Sequence, residues 1–121
     1  LMVRQYRNSV DRYTLEIPAG GLNSKDEPTI EAAARELEEE TGYASEHLEP
    51  LISIVTAIAF CDEVIDIYLA TGLKKTQQHL DEDEYIDVYA YTPQELVDMI
   101  YSGKIQDSKT VAAIMAYINR K

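Results

Sequence analysis

Glu36, Glu38, Glu39 and Glu40 crowd four acids into five consecutive positions, interrupted only by Leu37. On a helix, residues three and four apart share a face. Glu36, Glu39 and Glu40 then point the same way, with Arg35 beside them. Like charges at that spacing cost about 0.3 kcal/mol per pair, and a divalent cation is the natural group to offset them. Magnesium prefers carboxylate oxygens, keeps several waters and bridges to substrate phosphates. The chemistry within reach is therefore metal-assisted work on a phosphate ester or anhydride. A charge run is more often a solvated face. Here Gly21, Glu27, Arg35 and Gly42 flank the run at set spacing, and a solvated face needs none of them.

The elements that must position these acids follow from periodicity and punctuation. Ile30, Ala33, Leu37 and Thr41 make a mostly apolar stripe, so the spacing predicts a helix over 28–41 whose core face excludes the acids, with Gly42 at its C′ position. Before it, residues 2–7 and 13–17 alternate as strands around a polar turn. Pro18-Ala19-Gly20-Gly21 breaks the chain into a loop. After it, 51–59 and 64–70 are β-rich, separated by Phe60-Cys61-Asp62-Glu63. Residues 74–84 are polar and read as an exposed loop, and 86–91 alternate again. Thr92-Pro93-Gln94-Glu95 is a capping box with proline at N1, opening a helix that Gly103 closes. Ser108 is a candidate cap for a last helix with a Val111, Ile114, Met115 and Ile118 stripe. This order is that of an α/β protein with a mixed sheet between helices.

Composition bounds the rest. A chain of 121 residues with 45% hydrophobic and 27% charged residues is a single globular domain over 1–121. Its net charge of −11 argues against nucleic acid or an anionic membrane as partner. No run is long and apolar enough to cross a bilayer as a helix. A lone Cys61 forms no internal disulfide and points to a reducing, cytoplasmic setting; its expected place is as a small buried hydrophobe. His47 and His79 stand alone in polar flanks and suit the surface, so neither a catalytic triad nor a zinc site is expected.

The spacing Gly21, five residues, Glu27, seven residues, Arg35-Glu36-Leu37-Glu38-Glu39-Glu40-Thr41-Gly42 resembles the signature of the Nudix hydrolases. All seven fixed positions match, an agreement that chance gives on the order of 10⁻⁷ per start. Tyr43 departs mildly, standing where an aliphatic residue is common. The resemblance implies an α/β/α sandwich that hydrolyses a nucleoside diphosphate linked to another moiety, with Mg2+ or Mn2+. It makes Glu36 and Glu40 the main metal ligands and Glu39 a further one. It adds a backbone carbonyl from Ala19 or Gly20, and it pairs Glu27 with Arg35 to hold loop and helix in register. Glu16-Ile17-Pro18-Ala19-Gly20, Phe60-Cys61-Asp62-Glu63 with 67–70, and Gly103-Lys104-Ile105 resemble the ADP-ribose pyrophosphatase branch. One departure is Ala57-Ile58-Ala59, where that branch usually carries Ser-Pro-Gly.

For the substrate, the resemblance places an arginine in the first strand. Arg7 matches better than Arg4, and an ordinary surface charge is the competing reading. Glu16 and Glu63 could contact a ribose hydroxyl or the metal shell; each also suits an exposed acid. The branch is similar in using a loop glutamate after the box to take the proton from the attacking water, which falls on Glu82 or Glu84. A solvated acidic loop tip is the alternative for either. The same likeness implies a homodimer and a further N-terminal strand domain. Because the chain opens on Leu1 directly inside a strand pattern, upstream residues are expected to be missing, and the chain alone to be inactive. A regulatory nucleotide-binding module without catalysis is the competing class.

Overall fold

The computed structural model covers residues 1–121. Strands β1 (Met2–Arg7) and β2 (Arg12–Glu16) form a hairpin, followed by helix α1 (Thr29–Thr41), a long hairpin β3 (Tyr43–Val55) and β4 (Val64–Lys75), strand β5 (Asp87–Tyr89), and helices α2 (Pro93–Tyr101) and α3 (Ser108–Asn119). The α/β class is as expected. The strands pair as two antiparallel sheets, β2-β1-β5 and β3-β4, rather than as one mixed sheet. The short connections within β1–β2 and β3–β4 favour antiparallel neighbours, since a parallel pair needs a crossover of a dozen or more residues; β5 joins β1 antiparallel from far along the chain.

Local chemistry explains most boundaries. The first hairpin turns through Asp11 at φ 53, a left-handed conformation that Asp tolerates better than most residues. Gly42 caps α1 at φ 74, and its N–H donates to the Glu38 carbonyl at 2.9 Å. The capping box of α2 is complete. Thr92 Oγ1 accepts from Glu95 N at 3.2 Å, and Glu95 Oε2 accepts from Thr92 N at 2.7 Å. The cap of α3 is Asp107, not Ser108, because Asp107 is the residue whose carboxylate accepts from Thr110 N. The β3–β4 hairpin is longer than its apolar runs suggest. It begins at Tyr43, passes Pro50 through a register shift between Pro50 and Ile52, and continues to Lys75. Proline lacks the donor a regular ladder needs, so the irregularity falls there.

One small core lies between the first sheet and the last two helices. Met2, Ile105 and Ile114 are its buried centre, with Leu15, Ile17, Leu96, Val97 and Ile100 packed around them. On α3 the buried positions are Thr110, Ala113 and Ile114, while Ile118 is exposed, so the inward face is turned from the expected stripe. On α1 the buried positions are Ala32, Leu37, Glu40 and Thr41, and Ile30 is exposed. That arc is wider than one stripe because two different things cover the helix: the β3–β4 hairpin, and the loop after β2, which reaches Glu40. Cys61 is exposed rather than buried, since the loop joining β3 to β4 stands clear of the body. A cleft of about 950 Å³ opens between the halves, lined by α1, β4, the 17–22 loop and the start of α3.

Candidate active site

The loop from Ile17 to Gly21 and the acidic helix meet at the cleft, and two contacts fix their register. Ala19 N donates to Glu40 Oε2 at 3.2 Å. Gly20 lies so close to the Glu36 carboxyl that a Cβ on Gly20 would overlap it, whereas a Cβ on Gly21 would meet nothing within 4 Å. Of the two adjacent glycines, Gly20 is thus the one whose missing side chain lets backbone and carboxylate approach. Arg35 ties the rest together. Its guanidinium donates to Glu27 Oε1 at 3.2 Å, Glu36 Oε1 at 2.9 Å, Glu39 Oε2 at 3.4 Å and the Gly21 carbonyl at 3.0 Å. The expected Glu27–Arg35 pair is present, and Asn23 N braces Glu27 from the other side at 2.7 Å. Those two interactions hold the Glu27 carboxyl below its ordinary range.

The three box acids differ in environment more than their shared spacing suggests. Glu40 is only 6% exposed and lies on the covered side of α1. Burial pushes its pKa up to about 7; the Ala19 N–H opposes this, and the charges of Glu36 and Glu84 add to it. Glu36 is also raised, first by burial, with Arg35 opposing and Glu39 and Glu84 adding. The side chains do not converge into a closed three-acid cage: Arg35 holds Glu36 and Glu39 while Ala19 holds Glu40. The donor set still suits a hard divalent ion. It consists of carboxylates and backbone carbonyls, and magnesium is usually held by one or two carboxylates with water and substrate phosphate, not by a dedicated cage. Two acids whose ionised forms are disfavoured sit where a positive charge would restore them.

The remaining candidates divide. Glu84 comes close enough to raise both Glu36 and Glu40. Its carboxylate accepts from Asp81 N at 2.8 Å, which folds the acidic loop back on itself. Glu82 is exposed. The loop is seated on the end of α1 by three bonds: His79 N to the Glu39 carbonyl at 2.8 Å, Gln78 Nε2 to the Glu40 carbonyl at 2.7 Å, and Thr76 N to the Gly42 carbonyl at 2.7 Å. Arg7, Ala19, Glu36 and Glu63 all line the one cleft. Glu63 is exposed and accepts from Thr56 Oγ1 at 2.9 Å. Glu16 is buried and does not line the cleft; it grips Arg7 instead, at 2.8 and 2.9 Å. Lys109, Asp107 and Thr110 were not legible as part of this cluster. Their only sequence signal is a charged pair at the mouth of an otherwise apolar helix.

Comparison with known proteins agrees with this arrangement. Residues 1–114 match the Nudix domain family. The chain is 46% identical over 116 residues to the methanol dehydrogenase activator of Bacillus methanolicus, covering 94% of this chain and 62% of that protein. It is 38% identical over 116 residues to the ADP-ribose pyrophosphatase of Bacillus subtilis, with the same 94% and 62% coverage. It is 36% identical over 117 residues to the ADP-ribose pyrophosphatase of Mycobacterium tuberculosis, covering 95% of this chain and 56% of that protein. A crystal structure of an ADP compounds hydrolase superposes with a TM-score of 0.83 at 21% identity, over 96% of this chain and 62% of that one, and so shares the fold. The chain thus spans about three fifths of the length of these relatives. With an intact acidic box, its loop locked against the helix and a domain match along nearly its whole length, the chain belongs to the Nudix hydrolase family.

Proposed function

We propose that the protein hydrolyses the diphosphate bond of a nucleoside diphosphate sugar with Mg2+ or Mn2+, and that ADP-ribose, giving AMP and ribose 5-phosphate, is the foremost substrate. The observation that carries this reading is the seating of Glu36 against Gly20 and of Glu40 against Ala19, which brings two carboxylates of α1 against the loop that lines the cleft. Glu36, Glu40, Glu39 and the carbonyl of Ala19 or Gly20 would hold the metal. When bound, the ion neutralises charge on the phosphate oxygens and lowers the pKa of a coordinated water. The chain's own residues do the rest. Arg7 faces the cleft and binds the diphosphate. Glu84 orients the attacking water and takes its proton. The water oxygen bonds to one phosphorus, and the anhydride P–O bond opposite it breaks. Glu63, on the cleft wall, meets the sugar.

The two relatives named as ADP-ribose pyrophosphatases support the substrate class. A homodimer in the cytoplasm is the setting we propose, with a small molecule as partner and no role for nucleic acid or membrane. Net charge supports that, and no helix is long and apolar enough to cross a membrane. A second reading has its own support in the relative named as an activator of methanol dehydrogenase: nucleotide binding used to regulate another protein. Phosphate-bond hydrolysis by the intact protein, screened over ADP-ribose, other ADP- and GDP-sugars and nucleoside triphosphates, tests the proposal. ADP-ribose is expected to rank first. Tight binding without turnover would select the regulatory reading, and a preference for triphosphates would overturn the substrate assignment.

A further inference from the structure

Helix α3 lies far along the chain from the acidic box, yet its first turn grips the end of β2 and the start of the loop after it, at Glu16 and Ile17. Lys109 Nζ donates to Glu16 Oε1 at 2.7 Å and to Asp107 Oδ2 at 2.8 Å. The same Glu16 carboxylate accepts from Arg7 Nε at 2.8 Å, Arg7 Nη2 at 2.9 Å and Thr14 Oγ1 at 2.5 Å. Glu16 therefore spends its oxygens on two cations and a hydroxyl and keeps the Arg7 guanidinium in one orientation. Thr110, with no exposed surface, faces the other way. Its hydroxyl donates to Asp107 Oδ2 at 2.5 Å and accepts from Ile17 N at 3.1 Å. Ile17 begins the loop that carries Ala19 onto Glu40.

We infer that Asp107, Lys109 and Thr110 are positioning residues for the cleft: through Ile17 they set the loop that meets Glu40, and through Glu16 they set Arg7. The physical argument is economy of partners. A capping aspartate needs only the backbone donors of its own helix. Here it also orders a lysine and a threonine, and each passes the constraint to a different group of the site, Arg7 through Glu16 and the 17–21 loop through Ile17. The buried side chains in the chain have no unpartnered polar atoms, so neither link can move without leaving a donor or acceptor unmet. Arg7 and Lys109 both line the cleft, while Glu16, which couples them, stands behind it. This inference rests on the reading above for its metal site and, in its kinetic arm, for the hydrolase activity.

The test uses the intact protein with Thr110→Val, Thr110→Ser, Lys109→Met and Lys109→Arg. Melting temperature, Mn2+ affinity by electron paramagnetic resonance, and kcat and KM for ADP-ribose are measured for each. Thr110→Val, which removes the hydroxyl's bonds to Asp107 and Ile17, should weaken Mn2+ binding about fivefold, the equivalent of about 1 kcal/mol for the link to the loop, and lower kcat about tenfold. Thr110→Ser should restore both. Lys109→Met should raise KM about fivefold with kcat within about threefold, and Lys109→Arg should recover most of it. Variants that lower only the melting temperature, with Mn2+ affinity, kcat and KM unchanged, would reduce these residues to ordinary helix caps and overturn the inference. If the wild type hydrolyses nothing, the function proposed above fails. The Mn2+ comparison between Thr110→Val and Thr110→Ser then still decides the inference.

Discussion

Side chains of one type do different work here because the fold gives them different surroundings. Glu40 is buried and raised to about 7, Glu36 sits against a glycine, and Glu39 shares Arg35 at the rim. Glu40→Gln should keep the shape of the site while removing a charge a metal needs. We expect kcat to fall by roughly 10²–10³-fold, read as release of AMP from ADP-ribose at saturating Mg2+. The two loop acids separate in the same assay. Glu84→Gln should lower kcat by about 10²-fold or more, and Glu82→Gln should leave it nearly unchanged; equal losses would move the base elsewhere. Glu16 provides the pH signature. Burial alone would raise it, but hydrogen bonds from Arg7, Lys109 and Thr14 hold it at about 2. A carboxyl depressed in the folded state stabilises it above the ordinary value near 4.5, and that contribution is lost as pH falls toward 2. Glu16→Gln should therefore be less stable by on the order of 3 kcal/mol at pH 7. Its denaturant midpoint should approach that of the wild type as the solution is acidified to pH 2–3.

At the scale of elements, the glycine pair before α1 gives the sharpest contrast. A methyl group on Gly20 collides with the end of the Glu36 side chain, which can swing aside, so the damage falls on the site and not on the fold. Gly20→Ala should keep its melting temperature within a few degrees and weaken Mn2+ binding by about tenfold. Gly21→Ala should leave both the melting temperature and Mn2+ binding unchanged, since open space surrounds it. Calorimetric Mn2+ titration of both variants reads this directly. The reciprocal cap of α2 is ordinary by comparison. Thr92→Ala should cost about 1 kcal/mol by denaturant unfolding, with no kinetic effect.

At the scale of the molecule, apolar surface is left uncovered. Ile58 and Phe60 are 82% and 91% exposed in the loop at the tip of the β3–β4 hairpin, and Val55 and Val64, the strand pair beside that loop, are exposed too. Solvent does not favour such a patch, and the proposed homodimer would cover it. Light scattering behind size exclusion on the intact protein should give twice the monomer mass at micromolar concentration. A monomer there would count against the dimer. The cleft between the two halves is the other whole-molecule feature, because neither the first sheet nor the β3–β4 hairpin encloses it alone.

The order of elements and the helix ends at Gly42 and Thr92 were readable from spacing, and the resemblance to the family signature singled out Glu36, Glu39, Glu40, Arg35 and Glu27. Caps, turns and i,i+4 faces are written within a few residues of each other. The sequence could not say which glycine admits Glu36, that Glu40 lies on the covered side of its helix, or that Glu84 approaches the box. Nor could it show that Asp107, Lys109 and Thr110 reach back more than ninety residues to Glu16 and Ile17. Each of these depends on two segments meeting in space, and a contact between distant segments leaves no periodic trace in either one.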